Sequence, residues 1–294
     1  MINKTISLIL ALMLMAAPHV KCPETVKILS IGNSFSQDSV YYLYDIAESA
    51  GVNVVIGNLY FSGSSLQRHE MNAEENLKAY SYQKWISSEM TEEKNKTMKE
   101  VLLDEDWDYI TFQQSSENSG FYNTYQPYLN NLVDYVELIS KNPNVKFALN
   151  MTWAYSSNSI NKGFAYYNYN QFNMYRCIAE SYKQAIKETE IDIIIPCGTA
   201  IQNARTNKHL ITVGDQLTND GYHLENGMGK YIAGLTFFET IINNDKILDL
   251  DIYDDVTFMP ETKNDTADLA YIAKKSVIEA VNAPYITTKI KADK

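Results

Sequence analysis

Val26-Lys27-Ile28-Leu29-Ser30-Ile31 runs straight into Gly32-Asn33-Ser34-Phe35-Ser36, and this stretch decides the fold. The apolar run reads as a buried strand over residues 27–31. A small residue, an amide and a hydroxyl then stand where the strand ends. Gln37 to Ala50 carries helical periodicity that stops at Gly51. A strand that turns directly into a helix is the unit of a parallel α/β sheet, and that junction is where such sheets hold their chemistry.

The same alternation continues outward. Asn53 to Tyr60 reads as the second strand, Trp107 to Phe112 as the third, Val145 to Met151 as the fourth, and Ile191 to Ile195, closed by Pro196, as the fifth. Helical patterns follow over 125–140, 168–188, 198–205, 224–242 and 267–281. A polar insertion, Ser62 to Thr91, is read with helical stretches, and Glu92 to Leu103 as a helix. Apolar strands flanked by helices predict a three-layer α/β/α sandwich with a central parallel sheet of about five strands. No repeat or linker divides residues 23–294, which are read as a single domain.

The first 22 residues are set apart. Lys4 gives a basic start, and Ile6 to Ala17 is an apolar run the length of a signal-peptide core and too short to span a bilayer. Export to the envelope or the exterior is the expectation. Cys22 raises a lipoprotein reading, although His19-Val20-Lys21 is a poor approach to a lipidated cysteine. No later segment has the length and apolarity of a transmembrane helix. The net charge is −11, and losing the leader removes two lysines and no acid. That balance argues against nucleic acid as a partner. Cys177 and Cys197 read either as a pair or as two buried thiols, the second being preferred.

In a parallel sheet the carboxyl ends of the strands share one crevice. Ser34 lies past the first strand, Gly63 and Ser64 past the second, Gln113 and Gln114 past the third. Asp220-Gly221-Tyr222-His223 lies in the loop before the helix read from residue 224. A hydroxyl is inert until a base takes its proton. Imidazole does this near neutrality, and a carboxylate can fix its tautomer.

These segments resemble the SGNH (GDSL-type) hydrolase superfamily, in particular its carbohydrate esterases, and imply its flavodoxin-like fold. Gly32-Asn33-Ser34-Phe35-Ser36 is similar to the first block of that family, which implies Ser34 as nucleophile. Ser62-Gly63-Ser64 is similar to the second, which implies the Gly63 N–H as an oxyanion donor beside that of Ser34. Asp220-x-x-His223 matches the last block, which implies His223 as base and Asp220 as its orienter. The third block departs from the family's Gly-x-Asn-Asp and offers Gln113-Gln114 instead. Strand alternation favours Gln114 over Gln113 as the amide donor, because Phe112 should face the core.

Other residues are candidates for substrate binding. Arg68 and His69 stand in the polar insertion, and Trp153 and Tyr155 just past the fourth strand, where a sugar could stack. Asp215 is either a second carboxylate near the site or a turn residue. No metal or cofactor site is indicated, since His69, His209 and His223 form no close pair. The resemblance implies a secreted serine esterase acting on a small acyl ester or an acetylated glycan. An acyltransferase using the same triad and a non-catalytic carbohydrate-binding protein are the alternatives.

Overall fold

The computed structural model describes residues 25–211, 217–243, 250–261 and 266–291. The leader read over residues 1–22, Cys22 included, and Asp215 lie outside the described residues. Seven strands form one sheet: β1 Val26–Gly32, β2 Val54–Tyr60, β3 Tyr80–Trp85, β4 Met90–Lys96, β5 Tyr109–Phe112, β6 Lys146–Asn150 and β7 Ile193–Ile195. Their spatial order is β4-β3-β2-β1-β5-β6-β7. The five strands from β2 to β7 in that order run parallel. They are the five expected from apolar runs, and Ile28, Leu29, Ile31, Ile110 and Phe112 at the sheet's centre are buried. Each such side chain contributes about 1.5–3 kcal/mol when withdrawn from water.

The sheet has seven strands, not five, because the polar insertion adds an antiparallel hairpin. β3 pairs with β2 and β4 with β3. The expected helix over residues 92–103 is therefore corrected. Its first half is β4, an edge strand whose side chains are nearly all exposed. Only Met98–Leu102 is helical (α4, below), opened by a reciprocal cap in which Thr97 Oγ1 accepts from Glu100 N and Glu100 accepts from Thr97 N. A charged, solvated edge strand has no apolar alternation to betray it.

Helices cover the sheet as a three-layer α/β/α sandwich. They are α1 Ser34–Val40, α2 Leu43–Ser49, α3 Leu66–Glu74, α4 Met98–Leu102, α5 Tyr128–Ile139, α6 Gln171–Glu188, α7 Cys197–Ala204, α8 Lys208–Ile211, α9 Met228–Phe237 and α10 Thr266–Asn282. α3, α4 and α5 pack together, and α1, α7, α9 and α10 form a second group. The single helix expected over residues 37–50 is two, α1 and α2, and begins three residues earlier. The reason is Asn33, whose side chain accepts the amide of Phe35 and caps α1 directly at the strand end. Cys177 and Cys197 are free thiols, the second fully buried. No helix among the described residues is long and apolar enough to cross a membrane.

Candidate active site

The end of β1 is built for close approach. A Cβ on Gly32 would meet Ser36 Oγ at 2.7 Å and Gln113 Cδ at 2.9 Å. Glycine lets α1 start immediately, and Ser34, the first residue of α1, is only partly buried. Its hydroxyl lies 2.8 Å from His223 Nε2, and His223 Nδ1 lies 2.7 Å from Asp220 Oδ2. The structure thus brings together three residues from two distant segments in a hydroxyl–imidazole–carboxylate line.

The loop before α9 shapes the second half of this line. Asp220 Oδ1 accepts from the amides of Tyr222, at 3.1 Å, and His223, at 2.8 Å. Partial burial alone would raise the Asp220 carboxyl. The hydrogen bonds from the His223 amide and imidazole and from the Tyr222 amide outweigh it and hold the group below the usual carboxylate range. An ionised Asp220 accepts the Nδ1 proton, so Nε2 presents its lone pair to Ser34. The side chains of His223 and Asp220 are 32% and 42% exposed. Water therefore screens their charge interaction, and Asp220 acts chiefly through the orientation it imposes.

Carboxamides tie the strand ends together beneath Ser34. Asn150 at the end of β6 donates to Gln113 Oε1 at 3.3 Å. Gln113 Nε2 donates to Asn33 Oδ1 at 2.8 Å, and Asn33 Nδ2 donates to the carbonyl of Ser64 at 2.9 Å. All three amide side chains are buried. The network spans the ends of β6, β5 and β1 and reaches the loop after β2, where Gly63 takes a positive φ of 63°. Gly63 is exposed, with open space around its α-carbon. The choice of Gln114 as amide donor is corrected here. Gln114 Nε2 donates twice to Thr124, and its Oε1 accepts from Leu66 N and Ser115 N. A carboxamide has two N–H groups, and those of Gln114 are taken up. Gln113 is the one whose amide adjoins the Ser34 turn. Asn33 stands in the stretch that opens the sequence reading, whereas Asn150 does not figure in it. Polar amides at buried strand ends were the available signal.

Three of the four expected rim residues are interior. Trp153 is fully buried, its ring stacked on Phe35 and its Nε1 donating to the carbonyl of Tyr222 at 2.7 Å. Tyr155 is buried too, its hydroxyl 2.8 Å from Ser116 Oγ. His69 is buried beside Tyr80, with Nδ1 3.0 Å from the phenol oxygen. Burial pushes the His69 imidazole down to about 3, so it stays neutral. Arg68 is exposed, with its guanidinium 5.5 Å from the Phe61 ring centroid. Tyr222, whose ring centroid is 4.1 Å from that of His223, lines a cavity of about 520 Å³ with Ile160, Asn161, Lys162 and Asp220. Among the described residues no group of three or more His, Cys, Asp or Glu side chains is gathered for a metal.

The family model described as "Domain of unknown function (DUF4886)" matches residues 27–279. A crystal structure of a DUF4886 family protein from Bacteroides uniformis ATCC 8492 is 37% identical, covers 91% of this chain and 98% of that one, and superposes with a TM-score of 0.83. A protein from Slackia heliotrinireducens described as a candidate SGNH hydrolase is 18% identical, with 74% of this chain and 100% of that one covered and a TM-score of 0.47. An acetylxylan esterase from Geobacillus stearothermophilus is 14% identical, with 75% and 96% covered and a TM-score of 0.48. No curated protein matches. By the span of the family model and its likeness to the Bacteroides protein in both sequence and fold, the chain belongs to the DUF4886 family.

Proposed function

We infer that the chain is a secreted serine ester hydrolase that removes O-acyl groups, foremost O-acetyl, from carbohydrates through an acyl-enzyme on Ser34. The observation that carries this reading is the unbroken line Ser34 Oγ–His223 Nε2, His223 Nδ1–Asp220 Oδ2. In the first step His223 Nε2 takes the hydroxyl proton as Oγ bonds to the acyl carbon. The carbonyl oxygen becomes an oxyanion facing the N–H groups of Ser34, at the positive end of α1, and of Gly63. Loss of one such donor costs about 3 kcal/mol of transition-state stabilisation. The tetrahedral species collapses by breaking the bond to the alcohol oxygen, which receives the proton from His223. Water then attacks the acyl-enzyme by the same route, giving the free acid and Ser34.

The alcohol part of the ester lies on the His223 side, because that ring protonates it. The cavity lined by Tyr222, Ile160, Asn161, Lys162 and Asp220 adjoins the acid–base pair, and its mixed lining suits a hydrated sugar. Behind the nucleophile, Phe35 and Trp153 fill the interior, which favours a small acyl group. The apolar run Ile6 to Ala17 supports export. The test is acetate release from a panel of acetylated polysaccharides, with the mass of the native protein reporting loss of the leader. Faster cleavage of octanoyl than acetyl esters would replace the carbohydrate reading with a lipolytic one.

A further inference from the structure

One turn after Ser34, the same short helix carries a buried carboxylate, Asp38. Asp38 Oδ2 accepts the amide of Leu224 at 2.9 Å, the residue next to His223. Its other oxygen lies 3.3 Å from Lys230 Nζ on α9, and that ammonium sits 4.1 Å from the centroid of the Tyr41 ring. The loop that Asp38 grips is closed on itself. Leu224 bridges to Thr218, Asn219 N donates to the His223 carbonyl at 3.0 Å, and Glu225 N donates to Leu217 O at 3.0 Å. Its other anchors come from beyond β6, namely Trp153 Nε1 on the Tyr222 carbonyl and Ser156 N on the Gly221 carbonyl.

We propose that Asp38 is a positioning residue that sets the distance between nucleophile and base, so that one helix holds Ser34 directly and His223 through the Leu224 amide. This rests on the esterase reading for its catalytic consequence and on geometry alone for its structural one. α1 is seven residues long and leaves β1 without a connecting loop. Ser34 and Asp38 therefore move together. A carboxylate at the second position transfers the placement of α1 to the backbone that carries the imidazole. Burial keeps water from competing for the Leu224 amide, and Lys230 offsets the charge that burial would otherwise leave unpaired. Asp38 touches no reacting atom, and it acts only through His223.

The test compares two double variants, Asp38→Leu/Lys230→Met and Asp38→Asn/Lys230→Met. Both remove the buried ion pair as a unit, so neither leaves a lone charge, and only the second keeps an acceptor for the Leu224 amide. With 4-nitrophenyl acetate the Leu variant should lose about a hundredfold in kcat with KM nearly unchanged, the cost of misplacing a reacting group by about 1 Å. The Asn variant should recover most of that loss. A crystal structure of the Leu variant should show Ser34 Oγ and His223 Nε2 beyond hydrogen-bond distance. Should the apolar pair fail to fold, Asp38→Glu keeps the ion pair and displaces the acceptor by one methylene, with the same expected fall in kcat. Equal kcat in the two double variants, or an unchanged Ser34–His223 distance in the Leu variant, would overturn the proposal. A wild-type protein without esterase activity would overturn the function instead, and the crystallographic comparison would still decide the role of Asp38.

Discussion

The indole of Trp153 lies stacked on the ring of Phe35, with 4.4 Å between centroids and 16° between planes. Phe35 follows the nucleophile, and the carbonyl that Trp153 holds belongs to Tyr222, which precedes the base. One buried ring thus supports both halves of the site from beneath.

Trp153→Ala should accordingly cost stability without selecting among substrates. A vacated tryptophan site in a packed core costs about 3–5 kcal/mol. The remaining folded protein should lose the same factor in kcat/KM on an acetylated oligosaccharide and on a small aryl acetate. Denaturant unfolding and paired kinetics check this. A loss confined to the oligosaccharide would return Trp153 to the substrate-binding surface.

Asn33 is the hub of the amide network, and its removal should be felt twice. Asn33→Ala takes away the cap of α1, about 1 kcal/mol. It also strands the Gln113 amide and the Ser64 carbonyl in the interior, about 1–3 kcal/mol more. Asn33→Asp keeps the acceptor for Phe35 N but sets a carboxylate against the Ser64 carbonyl, so it should lower kcat by displacing the Gly63 loop. Urea unfolding of both variants tests the account. A change below about 0.5 kcal/mol for Asn33→Ala would contradict it.

The five parallel strands were legible because each carries a short, predominantly apolar run between helical patterns. The edge strand β4 was not, since exposed Glu92, Glu93 and Lys94 give no period to read. Ser34, Asp220 and His223 could be found because topology brings strand ends and the loop before α9 to one edge, and because the blocks around them resemble those of a known hydrolase superfamily. Beyond a strand's last residue that guidance stops. Trp153 lies three residues past the end of β6, and Gln114 two past the end of β5, where alternation no longer says which way a side chain turns. Burial then decided, sending Trp153 and Tyr155 inward. The grip of Asp38 on Leu224 joins residues 186 apart in the chain and has no local signature.

His69 makes stability depend on acid. In the unfolded chain a histidine titrates near 6.5, whereas burial lowers the folded value to about 3. Below about pH 6.5 the unfolded state binds a proton that the native state refuses. Stability is therefore full above that pH and falls on acidification, by about 1.4 kcal/mol per unit, until the folded value is passed. Between pH 7 and 5 this amounts to about 2 kcal/mol. His69→Gln should be free of that component in urea titrations at the two pH values. Parallel losses in wild type and variant would show that the His69 imidazole is not responsible.

Asp220→Asn should keep the fold but disturb the imidazole tautomer, because an amide can donate where the carboxylate only accepts. The fall in kcat in triads of this kind reaches about 10⁴-fold. The side chain is 42% exposed, so the change should barely move the unfolding midpoint. Retention of more than about a tenth of wild-type kcat would remove Asp220 from the proposed triad.

The central claim is that the Ser34 hydroxyl is a nucleophile activated by His223. Intact-protein mass spectrometry after treatment with a fluorophosphonate, followed by peptide mapping, tests it most directly. The account predicts a single adduct on Ser34, none on Ser34→Ala, and labelling of His223→Ala slowed by about a hundredfold or more. An unlabelled wild-type protein, or an adduct on another residue that persists in Ser34→Ala, would contradict it.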